Sequence, residues 1–170
     1  MVSMRILSAA LLLLLLSGCG YKPSAHYAKE VMHEKVSTQV IIALQDPENS
    51  VAIKDALDTA VITRFKSSLT HRSKAQTHLQ IMLKNITFSA LQYDLHGYVI
   101  SYRTRITLQI ERISGDTTKI YIAKGTYDFT IEPNAIISDQ VRYEAINKSA
   151  QKAIDSFVAQ VAAEGVRKEG

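Results

Sequence analysis

A long alternation between residues 98 and 111 constrains the fold more than any other feature of this sequence. Its even positions are mostly apolar, and its odd positions from 103 onward are polar or charged. Because side chains alternate between the two faces of a strand, the segment predicts a long strand with one buried face and one face in water. The apolar members are Tyr98, Ile100, Tyr102, Ile106, Leu108 and Ile110, and the polar members are Arg103, Arg105, Thr107, Gln109 and Glu111.

Three further segments have strand character. Residues 36–44 are β-branched and apolar, and residues 119–131 alternate like the long strand. Residues 79–88 also alternate, but their apolar phase shifts partway along. An extra residue in one strand produces such a shift, so the pattern predicts a β-bulge near Lys84 and Asn85.

Two segments have the 3.6-residue period of amphipathic helices. The first follows Pro47, and the second begins at Ser138 or Asp139 and ends at Gly165. Their apolar positions are Ile53, Leu57, Ala60, Val61, Phe65 and Leu69 in the first helix, and Ala145, Ala150, Ala153, Ile154, Phe157, Val158 and Val161 in the second.

The element order β-α-β-β-β-α predicts an α+β domain. In this fold a single four-stranded mixed or antiparallel sheet has two helices packed on one face. The opposite face has no helix left to cover it, so we expect it to be polar or occupied by a partner.

The composition is that of a globular domain with a modest positive charge. The chain has 170 residues, of which 46% are hydrophobic, and a formal net charge of +4. Basic residues do not concentrate in an aromatic-rich stripe, so nucleic acid is not an expected partner. Four cations near the end of the first helix, Arg64, Lys66, Arg72 and Lys74, are interpreted as compensating its dipole, with anion binding as the alternative.

The N-terminus has the pattern of an export signal. Arg5 precedes about eleven apolar residues, too few for a membrane-spanning helix, which needs about twenty. The sequence Leu-Ser-Gly-Cys at 16–19 resembles the bacterial lipobox, which implies a diacylglyceryl group on Cys19 and cleavage before it. A cleaved signal peptide with a free thiol is the alternative, and Met4 serves as a start as well as Met1.

The single cysteine excludes an internal disulfide, so the fold must depend on its core. Several acyl chains on Cys19 would hold the protein on a bilayer, because each buried CH₂ contributes about 0.8 kcal/mol. Gly20 replaces the aspartate that commonly retains lipoproteins at the inner membrane, so the outer membrane is the expected location.

These features predict four parts of the chain. They are a lipoprotein signal peptide at 1–18, a lipidated N-terminus and tether at 19–35, a single α+β domain at 36–165 and a charged tail at 166–170.

The sequence lacks the patterns of an enzyme or a metal site. The five histidines are scattered over different elements, and no Gly-rich phosphate loop or Gly-x-Ser-x-Gly elbow occurs. Glu111 and Asp128 are the one pair of strand carboxylates that we consider as acid and base. We therefore expect no catalysis, no metal and no cofactor beyond the covalent lipid.

The order of these segments resembles the lipopolysaccharide-assembly lipoprotein family, LptE-like. The resemblance runs through GCGYKPS, DPENSVAIKDALDTAVITRF, LQYDLHGYVISYR and IEPNAIISD and covers nearly all of the mature chain. It implies the same fold and a role as the plug of the lipopolysaccharide-translocon β-barrel, an LptD-like protein. It also implies help in assembling that barrel and contact with the glycolipid as it passes.

Four basic residues are the hypothesis for glycolipid contact, taken from the strand alternation and not from a family motif. Arg103 and Arg105 lie on the polar face of the long strand, with Lys84 and Lys124 on adjoining strands. Arginine suits phosphate because its planar fork donates two parallel hydrogen bonds. A solvated face with balancing charges is the alternative interpretation.

Two other functional classes fit the same anchor. A pilotin, or another outer-membrane lipoprotein chaperone, would bind a secretin or an envelope complex in place of the barrel. A lipid-tethered periplasmic enzyme is the third class.

Overall fold

The computed structural model describes residues 31–41 and 47–169. The predicted signal peptide and the lipid attachment at Cys19 lie outside these residues. In chain order the elements are β1 (Lys35–Ile41), α1 (Pro47–Thr63), β2 (Ser68–Leu69), a short 3₁₀ helix (Arg72–Lys74), β3 (Thr77–Tyr93), β4 (Val99–Ser114), β5 (Thr117–Thr130) and α2 (Asp139–Glu169).

The strands form one mixed sheet in the order β2-β1-β3-β4-β5. β1 is parallel to both of its neighbours, and β3, β4 and β5 are antiparallel. The α+β class and the two helices on one face are confirmed, but the predicted count of four strands is wrong because β2 was missed. Two residues are too short to show an alternation in sequence.

The missed strand explains a second error, at the end of the first helix. α1 ends at Thr63, and Lys66 has a positive φ of 55°, which turns the chain away from the helix axis. Leu69, predicted on the helix face, therefore lies in β2 and is 39% exposed.

The interpretation of the four cations near the end of the first helix as dipole partners is wrong. Arg64, Lys66, Arg72 and Lys74 follow α1 and do not form its last turn. Arg64 instead pairs with Asp155 at 3.3 Å.

The second helix begins as predicted and ends later. Ser138 caps it. Its Oγ accepts a hydrogen bond from the N–H of Val141 at 3.4 Å, and its carbonyl oxygen accepts one from the N–H of Arg142. α2 continues past Gly165 to Glu169. A glycine inside a helix costs only about 1 kcal/mol, and tertiary contacts of the last turns override that cost.

The core lies between the sheet and the two helices. Phe157 of α2 is its centre, with ring centroids 5.8 Å from Phe65 and 5.2 Å from Tyr121, both in edge-to-face geometry. α2 packs closely against β5 at Gly125, where a side chain would overlap the helix backbone. On β3 the register shifts between Leu83 and Asn85, which confirms the predicted bulge.

A buried ionic cluster joins the end of α2 to the sheet. Arg112 of β4 donates from Nη2 to Oε1 of Glu164 at 2.8 Å, and both side chains are less than a tenth exposed. The Tyr121 hydroxyl donates to Oε2 of Glu164, and Lys119 pairs with the same oxygen at 2.9 Å. Burial alone would raise the pKa of Glu164, but the hydrogen bonds from Tyr121 and Lys119 and the charges of Arg112 and Lys119 outweigh burial and lower it to about 2.

The same arginine attaches the N-terminal segment to the domain. Nη1 of Arg112 donates to the carbonyl oxygen of Val31 at 2.7 Å, and Val31 and Met32 are buried in the core. Next to them, Nδ1 of His33 lies 2.8 Å from Oγ1 of Thr77 at the start of β3. The chain thus enters the domain at the end of the sheet where β3 begins.

Candidate functional site

The face of the sheet that points away from α1 and α2 is the candidate site, and we call it the open face. It carries the side chains that alternate with the core positions of β3, β4 and β5, and no described helix covers it. In the middle of β4 and β5 these are Arg103, Arg105, Thr107, Gln109, Glu111, Ile120, Ile122, Lys124, Thr126 and Asp128.

Three of the four predicted cations surround one threonine on this face. Thr107 is directly opposite Asn85 on β3 and Lys124 on β5. Lys84 lies in the bulge next to Asn85, and Arg105 is a diagonal neighbour of Lys124, a relation that separates side chains by about 7–8 Å. We call Lys84, Arg105 and Lys124 the cationic patch; within the described residues none of them has a carboxylate partner.

The fourth predicted cation, Arg103, differs because it has a carboxylate partner. Its Nε donates to Oδ1 of Asp128 at 2.7 Å, and its Nη2 donates to Oδ2 at 2.6 Å. The hydrogen bond from Arg103, followed by the charges of Arg103 and Lys152, lowers the pKa of Asp128, and the same hydrogen bond raises the pKa of Arg103. Arg103 is therefore next to the cationic patch but already neutralised.

An apolar strip adjoins the cations on the open face. Ile41, Met82 and Ile122 fall in one cross-strand row with Gln109, and Ile120 is in the next row. The isoleucines are 36% (Ile41), 47% (Ile122) and 56% (Ile120) exposed. Gln109 interrupts the strip between Met82 and Ile122, and exposed apolar side chains grouped in this way are typical of interaction surfaces.

The end of the β3–β4 hairpin is a second exposed apolar surface. Tyr93, Leu95 and Tyr98 are 61%, 103% and 46% exposed, and Ile136 in the loop before α2 is 90% exposed. The backbone N–H of Ile131 bonds to the carbonyl of Ile100, which brings that loop to the same end of the sheet. We call these four residues the hairpin tip.

On the described part of this face, the two carboxylates that were considered as acid and base are far apart. Glu111 is opposite Ile120 and Asp128 is opposite Arg103, so the two carboxylates considered as acid and base lie eight positions apart along β4. The described residues contain no group of three or more metal-ligating side chains.

The sequence pattern did not reveal a buried serine–histidine pair on β1 and β3. Oγ of Ser37 is 2.8 Å from Nδ1 of His78, and the two residues are only 4% and 6% exposed. They are opposite each other on the parallel strands β1 and β3. The pair ties two strands together and is too deeply buried to meet a substrate.

The apolar strip and the partner of Arg103 were also missed in the sequence. The run Ile120-Tyr121-Ile122-Ala123 is apolar on both faces of β5, which is a signal visible in the sequence. The pairing of Arg103 with Asp128 depends on the register of β4 against β5, which a single sequence does not reveal.

Comparison with known proteins agrees with this architecture. A rare lipoprotein B from Shewanella oneidensis aligns with a TM-score of 0.54 and 13% identity over 81% of this chain and 100% of its own. A putative lipoprotein from Caulobacter crescentus aligns with a TM-score of 0.51 and 12% identity over 86% of this chain and 98% of its own. At these identities the likeness shows a shared fold.

The sequence comparisons are more specific. No curated protein matches the chain significantly. Among the described residues no helix combines the length and the apolar character that crossing a membrane requires. Residues 37–161, from β1 into the C-terminal half of α2, match the family described as LptE, lipopolysaccharide-assembly. Because this match spans most of the chain and all five strands, the protein belongs to the LptE lipopolysaccharide-assembly family.

Proposed function

We propose that this protein is an outer-membrane lipoprotein anchored by acyl groups on Cys19, facing the periplasm and the lumen of a β-barrel. In this role it is the plug and assembly partner of the lipopolysaccharide-translocon barrel, an LptD-like protein, and helps to insert lipopolysaccharide into the outer membrane. The observation that carries the proposal is membership of the lipopolysaccharide-assembly family.

The two ends of the domain suit an anchored plug. The N-terminal segment enters beside Arg112, and the hairpin tip lies beyond Val99, the first residue of β4 and thirteen residues from Arg112 along that strand. At about 3.3 Å per residue these points are roughly 40 Å apart, so an anchored domain would project the hairpin tip far from the membrane attachment. Exposed apolar side chains at the tip would contact the barrel.

The open face supports direct contact with the glycolipid. A lipopolysaccharide molecule carries phosphates next to acyl chains, and the open face carries the cationic patch next to the apolar strip. Phosphate oxygens would accept hydrogen bonds from Arg105, Lys124 and Lys84, and acyl chains would cover Ile120 and Ile122.

The partnership is tested by purification from detergent-solubilised outer membranes, with each co-purifying protein identified by mass. We expect a stoichiometric lipopolysaccharide-translocon barrel. A secretin in its place would instead identify a pilotin, and the lack of any stoichiometric partner would contradict a plug.

The glycolipid contact is tested by charge reversal. We expect Arg105→Glu combined with Lys124→Glu to weaken binding of purified lipopolysaccharide by about tenfold or more, because two charge-assisted hydrogen bonds are replaced by repulsion. Surface plasmon resonance at low salt measures the affinity. Reversal of two exposed basic residues on α2, Lys148→Glu with Arg167→Glu, makes the same change in net charge on the helix side and should have a smaller effect. Equal losses in both variants would remove the open face as the binding site.

A further inference from the structure

Asp128 holds Arg103 in the geometry with which arginine binds phosphate. The two parallel hydrogen bonds, at 2.7 and 2.6 Å, use Nε and Nη2 of the guanidinium and both oxygens of the carboxylate. Guanidinium binds two phosphate oxygens with the same fork. The carboxylate oxygens of Asp128 therefore lie where two oxygens of a phosphate would bind.

The pair is open to exchange with a ligand. The side chains of Arg103 and Asp128 are 40% and 47% exposed. Exposed ion pairs are weak because water screens them, so a phosphate with more negative charge can replace the carboxylate. Arg105, two residues along the same face of β4, has no such partner among the described residues.

We propose that Asp128 is an internal competitor that occupies the phosphate-binding fork of Arg103 and thereby weakens the hold of the open face on a phosphorylated glycolipid. This inference rests on the proposed function. A ligand phosphate must displace Asp128 to reach Arg103, and Asp128 re-forms the pair when the ligand leaves. Such a competitor suits a protein that passes its ligand onward, because it shortens the lifetime of the complex.

The first test is the affinity of the Asp128→Asn variant for purified lipopolysaccharide. We expect the affinity to rise about threefold to fivefold, because the energy of an exposed ion pair no longer opposes binding of the phosphate. The matched control is Asp116→Asn, which makes the same change in net charge in the turn at the opposite end of β5. The gain should disappear when Arg103→Gln is added, and also with lipopolysaccharide whose lipid A phosphates have been removed.

The second test does not depend on lipopolysaccharide. The NMR signal of the Arg103 Nε–H group is followed during titration with inorganic pyrophosphate. We expect Asp128→Asn to respond at concentrations several-fold lower than the wild type, and Asp116→Asn to respond like the wild type. Equal responses of Asp128→Asn and the wild type would overturn the inference.

The two tests separate the inference from the function on which it rests. If the wild type binds lipopolysaccharide and Arg105→Glu with Lys124→Glu weakens it, but Asp128→Asn behaves like Asp116→Asn in both assays, the glycolipid contact stands and the competitor role fails. If the pyrophosphate response appears while lipopolysaccharide binds neither protein, the fork of Arg103 is confirmed as a phosphate site and the glycolipid contact fails.

Discussion

Gly125→Ala is expected to destabilise the folded domain by about 3 kcal/mol, the upper part of the range for overpacked cores. A Cβ at this position would lie 2.0 Å from the carbonyl oxygen of Ser149 and 2.4 Å from the backbone nitrogen of Ala153. Both atoms belong to the backbone of α2, so no side-chain rotation relieves the overlap and the helix itself must move off the sheet.

The measurement is thermal or urea unfolding followed by circular dichroism. For a domain of this size the expected loss corresponds to a fall in Tm of about 10 °C. Thr126→Ala, at the exposed neighbouring position on the same strand, is the control and should cost less than about 1 kcal/mol. Equal Tm values for the two variants would show that α2 does not rest on β5 at Gly125.

Glu164→Gln is the second variant with a large expected effect, a loss of about 3 kcal/mol. It removes the charge that compensates Arg112 and Lys119, and Arg112 is buried at 4% exposure. Breaking a buried pair from one side is costly because the remaining charge is left without a partner in a place water does not reach.

The pH dependence of stability gives an independent measure of how much the charge of Glu164 contributes to the free energy of unfolding. The pKa of Glu164 is about 2 in the folded protein against an ordinary value of 4.5, so the unfolded chain binds the proton more readily. Its contribution is therefore complete above about pH 5 and is lost as the pH falls from 5 towards 2, by about 3 kcal/mol in all. Urea unfolding between pH 7 and pH 2.5 should show a shallower decline for Glu164→Gln than for the wild type. The same decline with pH in both proteins would contradict the lowered pKa of Glu164.

The long strands and both helices are predictable because each carries its own period over many residues. β4 alternates for more than ten positions, and α1 and α2 repeat an apolar face over several turns. The bulge at Lys84 is predictable for the same reason, since a phase shift inside a regular pattern is itself a local signal. β2 has two residues and no period, so only its pairing with β1 reveals it.

The candidate site is also only partly predictable from the sequence. Alternation alone assigns Arg103, Arg105 and Lys124 to the exposed side of their strands. It does not say which cation faces which carboxylate, because that depends on strand register. The register brings Asp128 to Arg103 and leaves Arg105 opposite Thr126, so two arginines with the same pattern have different electrostatic surroundings.

The sequence by itself determined the α+β class, the alternating faces of the long strands and the helical segments, because these depend on the spacing of apolar residues along the chain. The tertiary structure decided the fifth strand, the partner of each charge and the ionic cluster around Glu164. In that cluster Arg112 and Glu164 are in contact although they are 52 positions apart in the sequence. Contacts between distant segments depend on register and packing, and these are properties of the assembled sheet and helices.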